Sequence, residues 1–305
     1  MTFSSLPEQD RCLHDRSHNS CGTSIRLTPA RQAKAWFAGL CAAACLLAAP
    51  QPAAAQGTLE AHYEASLAGI AVGRGTWGIE IGDDYYSAAA QGATAGLLKA
   101  FSGGTGSGSA QGRIVGGALV PQSYTVSVNS KKSETIKINL AGGAVKDFSI
   151  DPEPPVDPDR VVVTPDLRKG VVDPMTSTMV RVPGTGELLT PEACRGQTSV
   201  FDGRLRYDLK MDFKRMETVR AEKGYSGPAV VCALYFTPVA GYIPDRPVIK
   251  HLAAERRMEI TLVPIAGTRV LVPFRTVIPT PFGPAVLEAT QFTTTAMPPR
   301  VAKTQ

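Results

Sequence analysis

From residue 59 onward the chain is a succession of short runs in which apolar and polar residues take turns. Residues 59–67 (LEAHYEASL) and 75–81 (GTWGIEI) alternate with a period of two and flank a turn at 69–73. Asp83 and Asp84 precede a third run at 85–91. This is the pattern of an antiparallel meander with one buried and one wet face. Residues 120–128 and 133–140 (SETIKINL) pair around the turn NSKK. Further strands are expected at 199–212, 229–237, 258–265, 269–278 and 284–292, with a frayed tail beyond residue 293. Residues 94–101 (TAGLLKAF) suit one helical turn or a β-arch, and 102–108 (SGGTGSG) a flexible hairpin tip. The stretch 151–159 (DPEPPVDPD) is expected as an exposed loop, since proline cannot donate to a strand ladder. Asp173 followed by Pro174 has the form of a helix N-cap with proline at the first helical position, predicting a short helix that ends near Pro183. Residues 245–251 fit either element. About ten to thirteen strands, few helices and no repeat predict an all-β fold with minor α content, an antiparallel sheet curled into a barrel or half-barrel.

Composition agrees: 29 glycines and 24 prolines, spread along the chain, favour turns over long helices. The first 55 residues stand apart. Arg31 and Lys34 supply a positive edge, residues 35–49 are an uncharged apolar run, and Ala53, Ala54 and Ala55 are small. That is a secretory signal peptide, extended by a polar stretch before Arg31, with cleavage expected between Ala55 and Gln56. The run is too short to span a bilayer, no later segment is long enough, and neither Cys41 nor Cys45 sits in a lipoprotein-type context. The expected organisation is a leader at 1–55 and one β-rich periplasmic domain at 56–305. The net charge of +5 is scattered, and the leader takes five cations and three acids with it. Nucleic acid is therefore not expected as a partner.

Export changes the meaning of the cysteines. Cys12, Cys21, Cys41 and Cys45 fall in the leader, leaving Cys194 and Cys232. Two thiols alone in an oxidising compartment pair, so a Cys194–Cys232 disulfide is expected, stapling a meander across a loop of about 38 residues. A redox pair lacks the Cys-x-x-Cys spacing, and two Cys with two His make a poor zinc site.

Catalytic chemistry is hard to assemble. Beyond the leader the chain keeps only His62 and His251, both in polar-face contexts, and there is no G-x-S-x-G elbow. The glycines at 103–108 lack the Lys-Ser/Thr of a phosphate loop, and the acids at 151–159 lack EF-hand spacing. No catalytic residue, metal or cofactor is assigned. A curled sheet does enclose a concavity suited to apolar ligands; Trp77, Tyr85, Tyr86, Leu97, Leu98 and Phe101 are the candidates to line it, against ordinary core packing.

Several short motifs carry a family resemblance. They are Tyr63–Gly73 (YEASLAGIAVG), Tyr86, Gly96-Leu97-Leu98, Pro121–Tyr124 (PQSY), Asp173–Ser177 (DPMTS), Phe201–Arg204 (FDGR) and Gly241–Pro244 (GYIP). Over most of residues 60–290 the chain resembles the DUF3108 family of exported bacterial proteins of unknown function, and GYIP resembles its alphaproteobacterial branch. The resemblance implies a periplasmic barrel-like fold, similar to lipoprotein carriers that bind acyl chains, and transfers no catalytic residue. The expected function is non-enzymatic: binding a lipophilic molecule or an envelope protein in cell-envelope maintenance. The alternatives are a structural interaction module without a cavity and an atypical hydrolase.

Overall fold

Alternation becomes burial in the first strand, β1 (Gln56–Leu67), where Leu59, Ala61 and Tyr63 are buried and Glu60, His62 and Glu64 alternate with them. The computed structural model describes residues 56–96 and 103–298; the leader, residues 97–102 and the last seven residues lie outside it. β2 (Ile70–Ile81) turns back along β1, and β3 (Tyr85–Thr94) follows with Tyr86 and Ala88 buried. Next come β4 (Thr105–Val115), β5 (Ala118–Asn129), β6 (Ser133–Ala141) and β7 (Ala144–Asp151), each antiparallel to the one before.

The chain then leaves the sheet. A single-turn helix, α1 (Pro174–Ser177), is followed by β8 (Val180–Arg181) and a 3-10 turn at Pro191–Cys194. β9 (Gly196–Phe201), β10 (Arg206–Arg220), β11 (Lys223–Gly224) and β12 (Ser226–Ala240) lead to helix α2 (Pro247–Ala254). β13 (Glu259–Pro264), β14 (Val270–Thr280) and β15 (Gly283–Met297) complete the sheet.

These strands form one 15-stranded sheet in the order 7-6-5-4-3-2-1-15-14-13-12-10-9, with β11 beside β15 and β8 beside β14. All pairings are antiparallel except the short β11–β15 one. The path is open, ending at β7 and β9, so the sheet is barrel-like without closing. Its two free edges are nonetheless brought together. Phe148 of β7 meets Phe201 of β9 edge to face, centroids 5.3 Å apart. The segment at residues 169–172 bridges both edges, with Lys169 pairing Ala144 and Val172 pairing Val200. The segment thus occupies the seam with backbone hydrogen bonds that either edge would otherwise lack.

The middle strands are buried on both faces. Residues 229–232, 260–263 and 270–274 are continuous buried runs, apolar throughout except for Thr261. One face packs with Phe274 and Phe292, centroids 5.8 Å apart, and the other with Val182 and Cys194.

Several expectations need correction. The β1–β2 turn is only Ala68-Gly69, both with positive φ (50° and 81°), so Gly73 lies within β2. Residues 105–108 are not a hairpin tip but the start of β4, held by ladders to β3 and β5. Residues 199–212 are two strands, because Asp202 accepts from the amides of Arg204 and Leu205 and folds the chain back. The helix at 173 stops at Ser177, since Val180–Arg181 pairs with Leu271 and Val270 instead. Residues 294–297, expected in a frayed tail, instead pair with Gln56–Leu59. β7 was not foreseen.

A two-residue turn with both φ positive is the hairpin geometry that favours glycine, and the β4–β5 and β6–β7 turns use Gly116-Gly117 and Gly142-Gly143. Ala68 is the non-glycine exception among the described residues. Ala68→Gly is therefore expected to raise stability by about 0.5–1 kcal/mol, read as a higher urea midpoint, because relief of a left-handed alanine outweighs the added chain entropy.

A candidate apolar cavity

The DPMTS stretch builds the site's central support. Asp173 caps α1 by accepting from the Thr176 amide (2.9 Å) and the Thr176 hydroxyl (2.6 Å). With its hydrogen committed there, Thr176 Oγ1 receives the Tyr86 hydroxyl at 2.8 Å. Asp173 is fully buried, and desolvation pushes its carboxyl above the usual range, although those hydrogen bonds pull it down. Burial likewise raises Asp202, whose carboxylate holds the β9–β10 turn. Tyr124 is pushed up to about 12 by burial first and then by Asp173 and Asp202. Tyr207 is raised for the same reasons.

α1 packs against β4, β5 and β9, and beside it a cavity of about 460 Å³ remains. Trp77, Met175, Leu209, Met211, Leu234 and Leu287 supply much of its apolar wall. Ser177, Thr178, Thr198 and Tyr124 add hydroxyls. A second pocket of about 500 Å³ adjoins it, sharing Ala90, Gln91, Tyr124 and Met175, and runs along the small residues Gly92, Gly104, Gly106 and Gly108 towards the β5–β6 turn. The glycine stretch expected to be a flexible tip thus forms a smooth strand wall.

On the polar side of the sheet lies a groove of about 950 Å³ lined by His62, Glu64, Arg74, Thr105, Asn129 and Gln291 among others. Hydroxyls, amides and charges line it together with Val128, Ala93 and several glycines.

The sequence-derived candidates separate. Trp77 lines the cavity, tilted beside Tyr63 at 6.5 Å between centroids. Tyr86 is core: 1% exposed, it supports α1 from behind the wall. Tyr85 sits on the other side of β3, bonded to Glu80, and is absent from the cavity wall. The wall was expected to include both tyrosines, and adjacent strand residues cannot share a face. Leu97, Leu98 and Phe101 fall outside the described residues. Leu209 and Met211 were missed, although their spacing in the alternating run 206–212 was visible. Their face could be told apart, but what it faces could not.

Cys194 and Cys232 are bonded, with Cα atoms 5.5 Å apart. Of the expected hairpin or meander, the bridge staples a meander, β9–β10–β12. It ties the 3-10 turn ahead of β9 to β12, across β10, because Cys232 sits opposite Phe213 in the middle of the β10–β12 ladder. His62 contributes to the polar groove, and His251 Nε2 lies 2.7 Å from the Pro279 carbonyl. Among the described residues no three His, Cys, Asp or Glu gather as a metal site, and no helix is long and apolar enough to cross a membrane.

A family model described as protein of unknown function (DUF3108) matches residues 62–290. No curated protein matches the chain. Among solved structures, the beta-barrel-like protein of domain of unknown function DUF1849 from Brucella abortus is similar at 9% identity and a TM-score of 0.39, over 81% of this chain and 100% of that one.

Proposed function

Since the chain belongs to the DUF3108 family of proteins of unknown function, we propose from its own geometry that it is an exported, non-enzymatic protein that encloses a lipophilic molecule and serves the cell envelope from the periplasm. The apolar cavity beside α1 carries this reading. Apolar surface left uncovered in a concavity marks a binding site, and about 460 Å³ walled mostly by apolar side chains remains beside α1, partly open to solvent. The volume lies in the range of small-molecule sites. One feature supports export. The Cys194–Cys232 bridge belongs to an oxidising compartment.

Native mass spectrometry of protein purified from its own periplasm tests the reading. A co-purifying lipid on a chain beginning near Gln56 is expected; a bare mass favours the interaction module without a ligand, and a chain retaining residues 1–55 ends the export proposal. A substitution tests the adjoining pocket and, through the shared Met175, the cavity. A Cβ added at Gly108 lies 3.3 Å from the terminal methyl of Met175, a flexible tip that can move only at the expense of the space. Gly108→Val is expected to weaken uptake of a neutral fluorescent lipid probe by about tenfold while leaving the melting temperature unchanged. Unaltered uptake would place the ligand elsewhere.

A further inference from the structure

We infer, resting on that reading of the cavity, that its ligand is an uncharged lipid with a hydroxyl at its polar end, such as a long-chain alcohol or a neutral glyceride, and not a fatty acid or other anionic amphiphile. Three observations converge. No Lys, Arg, His, Asp or Glu lines either the cavity or the pocket that adjoins it. A carboxylate or phosphate drawn inside would find no counter-charge, and an unpaired charge in such a setting is strongly disfavoured.

The wall hydroxyls on α1 and just past it are polarised in one sense. Ser177 Oγ donates to the Pro174 carbonyl at 2.7 Å, and Thr178 Oγ1 donates to the Met175 carbonyl at 2.7 Å. Each has its hydrogen committed to the backbone, so what it has left to offer is lone pairs. Lone pairs accept a ligand O–H and oppose a ligand O⁻.

The third observation is what stands behind the wall. The Tyr124 hydroxyl, the Gln91 amide and the Trp77 indole N–H, which is buried without a partner, are donors in this wall. Buried Asp173 and the Asp202 carboxylate both lie close enough to influence Tyr124. An anion drawn to Tyr124 would be set towards two acids. The cations nearest in sequence to the pocket's far end, Lys131 and Lys132, follow the lining residue Ser130 in an exposed turn, where solvent and salt screen them.

The experiment compares decanol with decanoate as competitors for a neutral fluorescent probe on the delipidated full chain at neutral pH. Decanol is expected to displace the probe at a concentration at least about tenfold lower than decanoate. Acidification that protonates decanoate should close the gap. Decanoate equal to or tighter than decanol at neutral pH overturns the inference while leaving the apolar cavity in place. Failure of the probe and of both competitors to bind overturns the carrier reading itself, and this inference with it.

Discussion

The double substitution Cys194→Ala and Cys232→Ala is expected to lower unfolding free energy by about 3–4 kcal/mol, the chain-entropy value for a bridge spanning 38 residues. Both cysteines are fully buried, beside Val230, Leu262 and Leu271, so the two alanines also leave a void where the sulfurs packed. Urea unfolding followed by intrinsic fluorescence measures the loss. The slope should rise along with the lower midpoint, because an unbridged denatured chain exposes more surface. The bridge ties the turn before β9 to β12, and Thr198 and Leu234, a few residues from either sulfur, line the cavity. Probe uptake should therefore fall with stability. A midpoint unchanged by the substitutions would mean that packing alone holds the turn, and that the covalent link adds nothing.

The second large effect is at Asp173. Asp173→Ala removes an N-cap, worth about 1 kcal/mol, and leaves the buried Thr176 hydroxyl, which itself accepts from Tyr86, without its acceptor, about 1–3 kcal/mol more. A total of about 2–4 kcal/mol is expected. Asp173→Asn keeps an acceptor for the Thr176 amide and should cost much less. The two also differ in pH dependence, and the sign follows from burial. Desolvation raises the Asp173 pKa in the folded state, so the folded protein holds this proton more tightly than the unfolded chain. This group's contribution to stability is accordingly greatest below the ordinary carboxylate range. It declines as pH climbs from there through the raised value, then levels off. Asp202, raised in the same direction, adds to the slope. Asp173→Asn should flatten the decline; a wild-type and an Asn variant with parallel stability–pH curves would show that Asp173 is ionised without penalty.

Much of the architecture was legible because strand alternation is a local property. LEAHYEASL has one buried face whatever lies beyond it, and β1 to β3, β5, β6 and β13 to β15 sit close to where period-two patterning puts them. The DPMTS cap was equally local: an acid, a proline at the first helical position and a threonine three residues on suffice to turn the chain once. The misses share a cause. The glycine-rich 105–108 has no strand propensity of its own and is a strand because β3 and β5 flank it. Residues 293–297 are ordered by β1, more than two hundred residues earlier in the chain. β7 was passed over because its apolar residues Val145, Phe148 and Ile150 depart from a strict period of two across a register shift, and the partner of Phe148, Phe201, is distant in sequence.

The cavity shows the same division. Periodicity could say that Trp77 lies on an inward face and that Leu209 and Met211 share one, but not that these two faces look at each other across empty space. The amino-acid order alone settled the fold class, the family, the cap on α1 and, given an oxidising compartment, which two sulfurs would join. Only the tertiary structure decided that the sheet stays open, with residues 169–172 filling its seam, that the sulfurs bridge across β10, and that the inward side chains leave a space beside α1. The reason is that patterning reports the direction a side chain points from its own backbone, whereas closure and empty volume depend on the distance to residues far along the chain.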